Sequence, residues 1–187
     1  MISLLEHSPP AMALTPARTA HPPAADHVLD PETLGDHLDR MFRAAWALCG
    51  SREEAEDLVQ ETYARVLARP RIVRGADDVP YLLRVLRNTF ISQRRAAVRR
   101  PQKADFELES LPLADTRGDR DPSSVAEHHE LYTAIAQLPV EFREALVAID
   151  IVGLSYREAA RSLGVTEGTI TSRLHRARAR VAAMFVP

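Results

Sequence analysis

The sequence predicts an all-α protein in which a flexible linker joins two small helical domains. Three observations lead there. The composition is 45% hydrophobic but only 5% aromatic, and it is rich in Ala, Leu, Arg and Glu, residues that lose little freedom on entering a helix. Apolar residues recur every three or four positions through most of the chain, the period of a helix face and not of a strand. Between residues 104 and 123 that period gives way to acidic, irregular sequence with Pro112, Gly118 and Pro122, which divides the chain in two.

A chain of 187 residues has room for one ordinary domain or two small ones. With a net charge of only −2 it is no general polycation, so any nucleic-acid contact depends on where the basic residues are placed. The lone Cys49 excludes an internal disulfide and fits a reducing cytoplasm, with packing as its expected role. No apolar run approaches the ~18 residues of a membrane span, and the N-terminus lacks the pattern of a secretory signal. A cytoplasmic protein without membrane insertion is expected.

Residues 1–30 predict a disordered tail, because Pro9, Pro10, Pro16, Pro22 and Pro23 interrupt any helix. His7, His21 and His27 are too scattered to hold a metal. The first domain, 31–103, opens with Asp30 as a cap and Pro31 at the first helical position. Leu34, Leu38, Met41, Phe42, Ala45, Leu48 and Cys49 mark one helical face, and Gly50 ends it. Ser51 and Glu54 predict a capping box for the next helix, whose inner residues are Ala55, Leu58, Val59, Thr62, Val66 and Leu67. Its outer face carries Glu53, Glu56, Asp57, Gln60 and Glu61. No His or Cys lies near to complete a metal site, and acidic faces of this kind are usually solvated surface.

Pro70 and the Gly75–Asp78 run predict a loop, and Pro80 the start of a third helix with Leu82, Val85, Leu86 and Thr89 buried. From Val79 to Ala104 there is no acidic residue, while Arg84, Arg87, Arg94, Arg95, Arg99, Arg100 and Lys103 accumulate. Such one-sided charge favours phosphates through counterion release. Tyr81 and Phe90 lie in the same strip, where aromatic rings either stack on unpaired bases or join the core. Asn88 offers a base edge both a donor and an acceptor.

After the linker, 104–123, the second domain spans 124–187. Ser124 and Glu127 predict a cap, and Val125, His128, Tyr132, Ile135 and Leu138 line that helix. Pro139 opens the next, with Phe142, Leu146, Ile149 and Val152 leading to Gly153. The remainder reads as a helix-turn-helix. Ser155 and Glu158 form a capping box, Ala159, Ala160 and Leu163 face inward, and Gly164 makes the turn. Thr166 caps the last helix, on which Ile170, Leu174, Ala177 and Val181 form an apolar stripe. The opposite face bears Thr171, Ser172, Arg173, His175, Arg176, Arg178 and Arg180. Basic helix faces also occur as plain solvated surface, but with the cap and the tight turn this one suits a major groove. Thr171, Ser172, His175 and Arg176 are placed to read base edges, and Arg173 and Arg178 to meet phosphates.

Three stretches, in this order, resemble the extracytoplasmic-function sigma factors of the sigma-70 family. EEAEDLVQETYARVL, Glu53 to Leu67, is similar to the family's region 2.2, which docks on the β′ clamp helices of RNA polymerase. The resemblance implies core-polymerase contacts from Asp57, Leu58, Gln60 and Glu61. PYLLRVLRNTFISQRRAAVRRP, Pro80 to Pro101, is similar to regions 2.3 and 2.4, which melt the −10 element. It implies DNA contacts from Tyr81, Arg84, Arg87, Asn88, Thr89, Ser92, Arg94, Arg95, Arg99 and Arg100. Leu138 to Val181 is similar to region 4, which reads the −35 element, and implies contacts from Ser155, Arg157, Thr169, Thr171, Ser172, Arg173, His175, Arg176 and Arg178.

The implied function is promoter recognition and melting as a subunit of RNA polymerase, with the β′ clamp helices, the β flap and promoter DNA as partners. An anti-sigma factor is the expected regulator, with no cofactor, no metal and no catalysis by the chain itself. The alternative is a stand-alone helix-turn-helix regulator binding DNA as a dimer, which gives no reason for an Arg-rich strip beside an acidic face. An enzyme is disfavoured, since no carboxylate pair, His/Cys cluster or Gly-rich phosphate loop has suitable spacing.

Overall fold

Helix α1 (Leu38–Cys49) is ended by Gly50, whose φ of 85° lets its N–H donate to the Trp46 carbonyl. Glycine takes up this left-handed conformation without strain, and a Cβ here would lie 2.6 Å from the Cβ of Ala136 on a distant helix. The computed structural model describes residues 26–68, 72–73, 77–99 and 122–185, the side chains of 99 and 122–128 excepted. Expectations for residues 1–25, for Pro70, Gly75 and Ala76, and for 100–121 lie outside the described residues.

Asp30 does not open an α-helix directly. Its carboxylate accepts from the Glu32 N–H at 2.9 Å, and its carbonyl accepts from the N–H and hydroxyl of Thr33, which sets up a 3-10 turn over Thr33–His37 ahead of α1. Helix α2 (Arg52–Leu67) starts at Ser51, whose hydroxyl accepts from the Glu54 N–H. This is a simple cap, without the return bond of a box. Helix α3 (Val79–Arg99) begins one residue before Pro80, with the Asp77 carboxylate accepting from the Val79 N–H at 2.9 Å. Pro80 sits in the first turn, where a missing N–H costs nothing.

Two short strands, β1 (His27–Val28) and β2 (Ile72–Val73), pair antiparallel, His27 opposite Val73 and Val28 opposite Ile72. His27 Nε2 also lies 2.7 Å from Asp78 Oδ1. The expected tail boundary at residue 30 is therefore corrected: structure begins by His27. A local reading missed it because the partners are 44 to 51 residues away in sequence. Met41, Leu48, Leu58, Leu82 and Leu86 are fully buried where α1, α2 and α3 meet. Each such side chain stabilises the fold by ~1.5–3 kcal/mol.

The second unit is built from α4 (Pro122–Ala136), α5 (Val140–Leu146), α6 (Tyr156–Leu163) and α7 (Glu167–Met184). Helix α4 starts at Pro122, so Ser124 falls in its first turn and is not the cap. Helix α5 runs on into a π-helical stretch, Val147–Ile151, where the Val152 N–H reaches back to the Val147 carbonyl. Leu138, Val147, Ile170, Leu174 and Ala177 are buried at its centre. Among the described residues no helix is long and apolar enough to cross a membrane.

The two units pack on each other, α1 against α4 and α5, and α3 against α6. Trp46 is only 7% exposed, its ring centred 5.2 Å from that of Tyr132 and 5.9 Å from that of His129. Arg143 crosses the seam. Its Nη1 donates to the Leu48 carbonyl at 2.5 Å, and its Nη2 donates to the carbonyls of Ala136 and, at 2.9 Å, Leu138. Leu48 and Ala136 stand at helix C-termini, where unpaired carbonyls and the helix dipole both favour a cation. Burial pulls the Arg143 guanidinium below its ordinary pKa, but an arginine so placed keeps its charge.

Candidate nucleic-acid interface

Helix α6 begins in a complete capping box: the Glu158 N–H donates to Ser155 Oγ, and Glu158 Oε2 accepts from the Ser155 N–H at 2.9 Å and hydroxyl at 2.5 Å. That hydroxyl bond, above all, holds the Glu158 carboxyl below its usual pKa. Gly164 (φ 69°) makes the turn, and Thr166 caps α7 by accepting from the Thr169 N–H at 3.2 Å. Buried Ile170, Leu174 and Ala177 dock α7 on the bundle, which fixes the direction of its other face.

That face is open. Thr171, Ser172, His175 and Arg176 are exposed on it, and Arg157 is exposed on α6. Thr171 donates its hydroxyl to the Glu167 carbonyl and Ser172 to that of Thr169, each at 3.0 Å. Both present only acceptor lone pairs outward in this state. Thr169 is half-buried with its hydroxyl against that of Thr166, and Arg173 is half-buried. Ser155 is occupied by its capping box. Arg178 is exposed but paired with Asp150, and Arg180 lies 4.9 Å over the Phe142 ring.

On α3, Arg84, Asn88, Ser92 and Arg95 follow one another at three- and four-residue spacing and are all exposed. Arg94, also exposed, is held 5.5 Å over the ring of buried Phe90. Tyr81 is half-buried against the core. Thr89 does not belong with the exposed residues: it is fully buried, donates to the Val85 carbonyl at 2.9 Å and accepts from Arg65 at 3.4 Å. The position next to Asn88 turns inward because the two lie ~100° apart around the helix. The side chains of Arg99 and Arg100 lie outside the described residues.

Arg87 is half-buried, its Nε 2.7 Å from Oε1 of Glu144 on α5. The N–H and carboxylate are not aligned for a hydrogen bond, so charge holds the pair. Neither Arg143 nor Glu144 was selected by sequence reasoning. Both are over 90% buried, yet the spacing of Phe142, Leu146 and Ile149 turns them toward apparent solvent. Contacts from the other unit, the Leu48 carbonyl on Arg143 and Arg87 on Glu144, are not visible to that spacing.

On α2, Asp57, Gln60 and Glu61 are exposed, with Glu61 paired to Arg65 at 2.7 Å. Leu58, which the resemblance implied as a further contact, is fully buried in the core, where the helical period placed it. Among the described residues no group of His, Cys, Asp and Glu is placed to hold a metal ion.

Comparison with known proteins follows the same division. Residues 34–100 match the family Sigma-70 region 2, and residues 128–181 match Sigma-70, region 4. The chain is 36% identical over 154 residues to the ECF RNA polymerase sigma factor SigE of Mycolicibacterium smegmatis, covering 79% of this chain and 58% of that protein. It is 35% identical over 142 residues to the ECF RNA polymerase sigma factor EcfG of Rhodopseudomonas palustris, covering 75% of this chain and 76% of that one. A solved structure of similar fold is the sigma factor RpoE of Bartonella quintana in complex with the anti-sigma factor NepR. There the TM-score is 0.60 at 30% identity, over 80% of this chain and 92% of that one.

Proposed function

This chain belongs to the extracytoplasmic-function sigma factors of the sigma-70 family, and from that membership we propose that it binds core RNA polymerase, recognises the −35 and −10 promoter elements and promotes DNA melting. One observation carries the reading: two exposed cationic helix faces, on α3 and α7, stand on separate units of one chain, beside an exposed acidic face on α2.

On α7, Arg176 and His175 supply donors to base edges, with Thr171 and Ser172 as acceptors, while Arg157, Arg173 and Arg178 meet phosphates. On α3, Arg84, Arg94 and Arg95 draw the displaced strand, and Asn88 and Tyr81 engage an unstacked base, offsetting the lost stacking of ~1–3 kcal/mol. Thr89 and Ser155 act through the fold, by packing and capping. Asp57, Gln60 and Glu61 meet basic residues of the β′ clamp helices, where complementary charge speeds docking, and region 4 contacts the β flap. The chain performs no covalent chemistry of its own and works in the cytoplasm, where the polymerase is. An anti-sigma factor controls it, a reading supported by the NepR complex of the Bartonella relative.

In vitro transcription tests this. Core polymerase supplied with the chain should initiate at defined sites in a promoter pool from the source genome, and core alone should not. Equal initiation with and without the chain would overturn the proposal.

A further inference from the structure

We propose that the cleft between α3 and the start of α5 binds a single-chain anionic amphiphile, a long-chain carboxylic acid in its ionised form, whose carboxylate takes Arg94 and so competes with the displaced promoter strand. The site stands on its own geometry. The competition rests on the sigma reading above and names a form of its regulation.

One face of α3 forms the floor of the cleft. Ile91, Arg94, Arg95 and Val98 recur there at three- and four-residue spacing, Phe90 stands beside them, and Val140 closes the far side. The volume is about 500 Å³, inside the ~300–1,000 Å³ of small-molecule sites, which are mainly apolar with a few charged or polar groups to orient the ligand. From Phe90 to Val98 the floor runs ~12 Å along the helix, at ~1.5 Å per residue. Val98 is 88% exposed, an apolar side chain set among arginines. Phosphate gains nothing from Ile91 and Val98 in that row, whereas a hydrocarbon chain does.

The chemistry of the lining selects the ligand. The side chains offer hydrocarbon and guanidinium, with no hydroxyl, amide or carboxylate to read the edge of a base. The Phe90 ring is buried with Arg94 over its face, so it is not free to stack on one. An acyl chain requires neither. The charge is one-sided as well: no carboxylate among the described residues pairs with Arg94, and no acidic residue lies between Val79 and Ala104. Burial, and after it the positive charge of Arg94, pulls the Arg143 guanidinium below its ordinary pKa. A carboxylate on Arg94 offsets this excess of positive charge and forms the two-pronged pair that guanidinium favours. A neutral or cationic head group does neither. With Val140 opposite α3, the cleft takes one chain and offers no flat apolar face to a bilayer, which commits the site to the free acid.

Dodecanoate below its micelle-forming concentration is the probe, with the full-length chain. Calorimetry should show uptake of one molecule per chain, with dodecyltrimethylammonium and dodecyl maltoside bound roughly tenfold more weakly. Anisotropy of a labelled −10 non-template strand should show dodecanoate raising its apparent Kd several-fold. Val98→Gln, at an exposed position and without change of charge, should weaken uptake about fivefold and leave strand affinity unaltered. Val140→Phe, which fills the cleft, should do the same with helix content by circular dichroism retained. In transcription with core polymerase, dodecanoate should suppress initiation by the wild-type chain more than by Val98→Gln.

No saturable uptake, uptake indifferent to both substitutions, or equal uptake of the three head groups would overturn the site. Capture by anionic phospholipid vesicles without uptake of the free acid would overturn it in favour of a membrane surface. Selective uptake that left strand affinity unchanged would overturn the competition. Selective uptake by a chain that never directed initiation would leave the site standing and the sigma reading overturned, and initiation without uptake would overturn the site alone.

Discussion

Arg178 on the recognition helix clasps Asp150 with two parallel bonds, Nε 3.0 Å from Oδ2 and Nη2 2.6 Å from Oδ1. The pair ties α7 to the π-helical stretch ahead of the helix-turn-helix and occupies a cation assigned to phosphate. Asp150→Asn should release it. Duplex affinity is then expected to rise a few-fold for any sequence, and its salt dependence to steepen by about one charge. Fluorescence anisotropy over a salt series measures both, and an unaltered slope would show that Arg178 reaches no phosphate.

Arg176 is exposed on the same helix, in the row proposed to face the bases. Arg176→Ala should cost ~1–3 kcal/mol on a cognate −35 duplex and less on a scrambled one. Equal losses on the two duplexes would reassign it to the backbone.

The Ser155–Glu158 box makes stability depend on pH. The Ser155 hydroxyl bond holds the Glu158 carboxyl below its ordinary value of 4.5, so the contribution is complete above that value and is lost as pH falls through the lower, folded-state value. Ser155→Ala is expected to cost ~1 kcal/mol at neutral pH. Thermal melts of wild type and variant should converge in acid, and a gap that stays constant down to pH 3 would mean the cap acts without the carboxylate.

Neighbouring positions on α2 separate docking from packing. Asp57→Arg should weaken capture of core polymerase and leave helix content and melting temperature nearly unchanged, because Asp57 is exposed. Leu58→Ala should lower stability by ~2–5 kcal/mol, because Leu58 is completely enclosed. Denaturant titration beside a pull-down distinguishes them, and reversed outcomes would invert the assigned faces.

Much of the helical framework is legible in the sequence. Gly50 and Gly164 stop helices, Ser51, Ser155 and Thr166 start them, and Ile170, Leu174 and Ala177 state which side of α7 is buried. These are local signals: a cap bonds three residues ahead, and a helix face repeats every three or four. The rows of exposed Arg on α3 and α7 follow from the same periodicity. Thr89 and Leu58 are buried where the helical period placed them; the family resemblance also counted them as contacts because a motif selects a run of consecutive residues, whereas a helix sends neighbours in the run to different faces.

What the sequence alone determined, then, is the helices, their faces and the family to which they belong. The tertiary structure decided what covers those faces. It buried Arg143 and Glu144, paired Arg87 across the seam, seated Trp46 against Tyr132 and set β1 beside β2. These partners lie tens of residues apart in the chain, and no rule of spacing connects them. A charge in an amphipathic pattern looks solvated until another part of the chain arrives to exclude the water, and that event belongs to the fold.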